Sequence, residues 1–245
     1  MKRYRLLDSL RGFALLNMIA YHVLWDMVYI FGVNIPWYYD KCAYIWQQAI
    51  CCTFILISGF CQPFSRRKCV HGLKLLVCSV LITCVTLIFT PDSPVFFGVL
   101  TLLGSCMLFF DATDKILRKI TPIVGLLLSF LLFICTKKID MGYLGLGTFT
   151  QSLPEHLYSN MLTAYLGFPP KSFVSADYFP ILPWFFLFST GYFLHLAFRK
   201  YSLMKLFQVR SLHFLEILGR HSLIIYMLHQ PLIYVILLLT SGFFA

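Results

Sequence analysis

What most constrains this chain is how little of it can face water. Apolar runs of about the length needed to cross a bilayer follow one another along it. They lie near residues 8–31, 41–61, 72–90, 95–110, 119–136, 178–198 and 216–243. Hydrophobic residues make up 59% of the 245 and charged residues only 12%, an excess no soluble domain could bury. The expected fold is therefore all-α: a polytopic integral membrane helical bundle of about seven transmembrane helices, forming a single domain over residues 1–245. The first run is too long for a secretory signal and lacks a small-residue cleavage site, so it reads as a retained anchor.

The formal net charge of +10 raises the question of nucleic acid, and its distribution answers against that partner. Basic residues cluster between apolar runs, in MKRYR, SRRKCVHGLK, DKILRK and FRKYSLMKLFQVR. With the N-terminus cytoplasmic, all of these fall on one side, and the other receives only Lys41, Lys137, Lys138 and Lys171 out of 20. That asymmetry predicts a multi-pass protein of the cytoplasmic membrane, N-terminus inside and C-terminus outside, with its loops against anionic lipid. The long outer segment 137–177, rich in Gly, Pro and Tyr, is expected to fold as a lid. The nine cysteines lie mostly inside apolar runs, with no CxxC pair and no Cys/His spacing suited to zinc. They read as small hydrophobes, and no metal is expected.

The first run carries three ionisable side chains: RGFALLNMIAYHVLWD contains Arg11, His22 and Asp26. Arg11 and His22 are about three helical turns apart, so both project from nearly one face, roughly 16 Å apart along the axis. His22 and Asp26, at i,i+4, are within reach of each other. Ionisable groups in lipid are costly and face a bundle interior or a wet cavity. The pair reads as a general base with a carboxylate that fixes its tautomer; the competing reading is a polar pair that staples helices. Asp8, in LDSL, reads as the N-cap region of this helix, within i,i+3 reach of Arg11.

The last run, GRHSLIIYMLHQPLIYVILL, places Ser222, Tyr226 and His229 on one stripe, with Pro231 expected to break the helix just after. His229 reads either as a proton shuttle or oxyanion donor, or as an interhelical hydrogen bond. Arg220 and His221 stand at the inner mouth of this run. Arg66 and Arg67, in SRRKC, suit either a phosphate or orientation alone. Gln47 and Gln48 are expected at the depth of Asp26. Outside, Asp177, Glu155 and His156 are candidate acceptor contacts, and Asp177 can equally cap the span that follows it. His71 and His195 read as structural. GYLGLG, residues 142–147, lacks the strand–turn–helix context of a dinucleotide site and reads as a flexible loop.

The R-x10-H pattern in RGFALLNMIAYH resembles the signature of the transmembrane acyltransferases, including those that modify bacterial surface sugars. Taken in order, RLLDSLRGFALLNMIAYHVLWD, FVSADYFPILPWFFLFSTGYF and LGRHSLIIYMLHQPL more closely resemble small bacterial members of the heparan-alpha-glucosaminide N-acetyltransferase catalytic-domain family. The resemblance implies acyl transfer from cytoplasmic acyl-CoA, acetyl-CoA being the expected donor, to a sugar hydroxyl or amine of an extracytoplasmic cell-envelope glycan. On that reading His22 is the base, with Asp26 and His229 beside it. Arg11, Arg220, Arg66 and Arg67 bind the CoA phosphates, and Gln47, Tyr226 and Asp177 contact the acceptor. Membrane lipid surrounds the bundle, and a homodimer is implied by resemblance alone. In the lysosomal enzyme that names the family, the catalytic His lies beyond the first span and Asn stands in the place of His22. Residues 27–50 here contain no His, so either the base is His22, as in the R-x10-H enzymes, or the protein is not an acetyltransferase of that type. The alternatives are a small-solute or proton-coupled transporter with a His22/Asp26/His229 relay, and a non-catalytic subunit of an envelope assembly. A transporter more often shows related halves with helices broken at mid-membrane.

Overall fold

The computed structural model describes residues 4–65, 67–147, 149–209 and 211–240. Among these residues the elements run α1 (Arg5–Tyr29), α2 (Lys41–Cys61), α3 (Lys68–Phe89), α4 (Val99–Leu117), α5 (Pro122–Thr136), β1 (Tyr143–Leu146), β2 (Phe149–Ser152), α6 (Met161–Leu166), α7 (Ile181–Lys200), α8 (His213–Arg220) and α9 (Ser222–Thr240). Helix dominates for a physical reason: in lipid every backbone N–H and C=O must be bonded within its own segment. Among the described residues five helical stretches are long and apolar enough to cross a membrane, Lys41–Phe64, Lys68–Phe89, Pro122–Met141, Ile181–Lys200 and Ser222–Thr240. α1 and α4 are as long, but they carry charges, including Asp8, Arg11 and Asp26 on α1 and Asp111, Asp114 and Lys115 on α4. Val77, Val80 and Leu81 of α3 are each more than half exposed, as suits a face turned to acyl chains rather than to water. The protein is an all-α, multi-pass membrane bundle.

The chain divides into two compact units, Met1–Ile57 with Ser202–Ala245, and Ser58–Tyr201. In the second unit, α3 pairs with α4 and α5 with α7. A Cβ on Gly72 would stand 3.0 Å from the Gly104 carbonyl oxygen, and one on Gly104 2.8 Å from Leu76 Cγ. Small residues let membrane helices approach where lipid supplies no hydrophobic drive. Phe110, Phe188 and Tyr192 fill the core of this unit, with ring centroids 5.2 and 4.8 Å apart. The Tyr192 hydroxyl donates to Asp114 at 2.8 Å, and the same carboxylate takes Arg118 at 2.7 Å and Lys68 at 3.4 Å. One acid thus ties α3, α4 and α7. His195 is buried between the rings of Phe60 and Phe64.

Within residues 137–177, β1 and β2 form an antiparallel hairpin, paired from Tyr143↔Ser152 to Leu146↔Phe149. Asn160 then opens α6 with a capping box closed by Thr163. GYLGLG is therefore a strand of a hairpin and not a flexible loop. Its glycines at 142 and 145 take left-handed backbone, φ 91 and 128, which other residues adopt only with strain.

In the first unit, α1 lies along α8 and α9. Two expected boundaries differ here. α1 begins at Arg5, with Tyr4 and not Asp8 at its N-cap, and Asp8 lies within the first turn. The run 216–243 is two helices: the His221 N–H bonds the carbonyls of Ile217 and Leu218, both at 3.2 Å, and closes α8 before α9 starts. Pro231 does not break α9, which continues to Thr240. The proline removes one donor, but in apolar surroundings the remaining backbone has no partner better than its own helix.

A candidate active site on α1, α8 and α9

Asp8, Gly12, Leu15, His22 and Asp26 recur at steps of three, four and seven residues, which places them on one face of α1. That face meets α8 at its Asp8–Gly12 end and α9 at its His22–Asp26 end. A Cβ on Gly12 would collide with the Leu215 carbonyl oxygen, and one on Gly219 with that of Asp8. Glycine at both positions is what lets α8 come close enough for charges to meet.

At this crossing Asp8 receives both candidate cations, Arg11 at 3.8 Å and Arg220 at 4.0 Å. Arg220 also reaches Glu216 at 3.3 Å, and Ser211 donates its hydroxyl to the other oxygen of Glu216 at 2.6 Å. That hydroxyl, with the charges of Arg5 and Arg220, holds the Glu216 carboxyl below the usual carboxylate range. Glu216 is 2% exposed, whereas the Arg11 and Arg220 side chains are 23% and 32% exposed. The carboxylates are thus fixed while the guanidiniums keep one side open.

Three turns along α1 the chemistry changes. His229 is 8% exposed, and its Nδ1 lies 2.6 Å from the Tyr226 carbonyl oxygen. A carbonyl only accepts, so Nδ1 carries the proton and Nε2 the lone pair. Nε2 is buried without a hydrogen-bond partner among the described residues. The His22 ring meets that of His229 edge-on at 4.9 Å, and the Tyr226 ring lies 5.3 Å from it. Asp26, fully buried, accepts at Oδ1 from Gln230 Nε2 at 2.7 Å. Asp26 Oδ2 and Gln230 Oε1 have no hydrogen-bond partner among the described residues. Tyr21 walls the site, packed on His22, Tyr38 and Trp46 at 6.1, 5.3 and 5.5 Å. The Trp46 indole N–H donates to Asn17 at 3.1 Å.

The expected His22–Asp26 pair is therefore corrected. Their i,i+4 spacing permits contact, but α9 offers each a different partner. His229 and Gln230, consecutive in sequence and about 100° apart around the helix, face His22 and Asp26 respectively. Among the other predicted residues, Arg11, Arg220 and Tyr226 also lie on these three helices, and Gln47 is half-buried on α2 in the same unit. Arg67 is exposed just before α3, and Arg66 lies outside the described residues. Asp177 belongs to the other unit, where its carboxylate accepts the Val99 N–H at 3.2 Å and so caps α4. Gly98 makes this possible, since a Cβ there would stand 2.7 Å from Asp177 Oδ2. Gln230 and Glu216 were missed as site residues. A signal for Gln230 was present: an amide beside His229, deep in an apolar run.

The fold and the site define a multi-pass membrane bundle in which the rings of His22 and His229 meet towards one end of α1, while Arg11 of α1 and Arg220 of α8 share Asp8 towards the other. Residues 3–231 match the family described as "Heparan-alpha-glucosaminide N-acetyltransferase, catalytic", and the chain belongs to that family. No curated protein and no solved structure matches it.

Proposed function

We propose that the protein is a membrane acyltransferase that moves an acetyl or related acyl group from cytoplasmic acyl-CoA to an amine or hydroxyl of an extracytoplasmic glycan. The observation that carries this reading is His229: one ring nitrogen is committed to a backbone carbonyl, and the other is buried with no hydrogen-bond partner among the described residues. That is what a general base in a dry site needs. Family membership supports acetyl transfer, and the one-sided distribution of Lys and Arg supports placing the Arg11 end in the cytoplasm.

In the step proposed, the acceptor nitrogen or oxygen attacks the thioester carbonyl and its proton passes to His229 Nε2. The new C–N or C–O bond forms as the C–S bond breaks, and the sulfur leaves to be protonated. His22, in ring contact with His229, lines the same space. Arg11 and Arg220 suit the CoA phosphates, because a phosphate competes with Asp8 for both guanidiniums through stronger, bidentate hydrogen bonds. Arg5, Arg11 and Arg220 against Asp8 and Glu216 leave this cluster one net positive charge (three minus two). The pantetheine arm would then follow the face of α1 over about three turns to His22. The transporter reading would draw support from a helix broken at mid-membrane, whereas α9 runs unbroken through Pro231.

Purified protein in detergent, incubated with acetyl-CoA, tests the reading. Arg11→Ala is expected to weaken acetyl-CoA binding about tenfold by losing a charge-assisted contact. His229→Ala is expected to preserve binding and slow thioester hydrolysis by about 10²-fold or more. Negligible binding by the wild type and both variants alike would remove the proposal.

A further inference from the structure

We propose, resting on the acyl-transfer reading above, that Asp26 and Gln230 form the acid half of the site: Asp26 carries a proton as a neutral carboxylic acid, Gln230 positions it, and that proton goes to the sulfur released from the thioester. Nothing in the base mechanism uses this pair. Asp26 is 0% exposed, and the hydrogen bond it accepts comes from a neutral amide. Among the described residues no Lys or Arg pairs with it. The titratable group that interacts with it is Tyr38, itself bordered by Tyr21 and Tyr29; His22 stands one turn away on its own helix, and His229 is next to Gln230 on α9. Tyr38 spends its proton on the Tyr21 carbonyl at 3.2 Å, and His229 spends its Nδ1–H on Tyr226. A buried carboxylate with no cation is costly, and a membrane interior offers it no water.

The hydrogen bonding points the same way. Asp26 Oδ2 and Gln230 Oε1 are both buried acceptors, and neither has a donor among the described residues. A carboxylate only accepts, whereas the acid supplies one O–H. An amide that donates N–H to one carboxyl oxygen and keeps its own carbonyl free is the complement of an acid. A single proton on Asp26 therefore turns one orphan acceptor into a donor.

The bookkeeping of the reaction then closes. The acceptor loses its proton to His229 Nε2, the C–S bond breaks, and Asp26 gives its proton to the sulfur, leaving a thiol and a carboxylate. Transfer of the proton from the His229 imidazolium to the Asp26 carboxylate restores both groups. Gln230 touches no reacting atom in this scheme and is a positioning residue.

Infrared difference spectroscopy of the full-length protein in lipid, without any substrate, tests the proposal apart from activity. The C=O stretch of a protonated carboxyl is expected at neutral pH and is expected to disappear in Asp26→Asn. In Gln230→Met, which removes the amide, the band is expected to persist and shift to higher wavenumber as its hydrogen bond is lost. Should Asp26→Asn fail to fold, the Gln230→Met shift alone decides. A wild-type spectrum with no protonated carboxyl band, or a band unmoved by the variants that fold, overturns the proposal. Either result leaves the acyl-transfer reading to its own binding and hydrolysis test.

Discussion

The Gln230–Asp26 hydrogen bond joins residues 204 positions apart, and its energetics are asymmetric because Asp26 is fully buried and Gln230 half-buried. Asp26→Ala leaves the Gln230 amide without its acceptor, so it is expected to lower stability by about 1–3 kcal/mol, read as a fall in the unfolding temperature in detergent. The double variant Asp26→Leu/Gln230→Leu should lose less than the sum of its two single variants, and simple additivity would show the pair uncoupled. Glu216 makes a prediction of the opposite electrostatic kind. Its folded pKa lies below the unfolded value. Its contribution is therefore fully present above the ordinary glutamate pKa of about 4.3 and is lost as pH falls through the lower folded value. Acid titration of wild type against Glu216→Gln checks this: the stability difference between them should shrink only below about pH 4.

Among elements, α8 shows most plainly what a helix in this protein is built for. It buries Glu216 and Gly219 and exposes Phe214 and Ile217 at 61% and 42%, the reverse of a soluble amphipathic helix. Phe214 and Ile217 turn outward, and Gly219 turns to α1. Gly219→Ala is expected to destabilise the α1–α8 crossing by about 1–3 kcal/mol through overpacking against the Asp8 carbonyl. Unchanged thermal stability would mean that the two backbones do not approach as described. The division between α8 and α9 was not read from GRHSLIIYM, although Gly219 and the polar residues Arg220, His221 and Ser222 stand at it. Pro231 misled in the converse way: it is a strong breaker in water and a tolerated residue in lipid.

For the molecule as a whole, Cys42 and Cys69, both exposed thiols, begin α2 and α3. With the N-terminus inside, a membrane-impermeant maleimide applied to intact cells should label Cys42 and spare Cys69, and inverted vesicles should show the reverse. Labelling of Cys69 from outside would overturn the orientation. The long helices were legible because a bilayer forces about 20 apolar residues into one self-bonded segment, a constraint written locally in the chain. So was the inventory of costly polar groups: Arg11, His22, Asp26 and His229 stand out against the surrounding apolar residues. What they touch was not legible. Lipid is as apolar as leucine, so no hydrophobic pattern says which helix faces which. Only the tertiary structure, through glycine contacts and the need of each buried polar atom for a partner, set Arg11 and Arg220 on one carboxylate, His22 against His229, and Asp26 on Gln230.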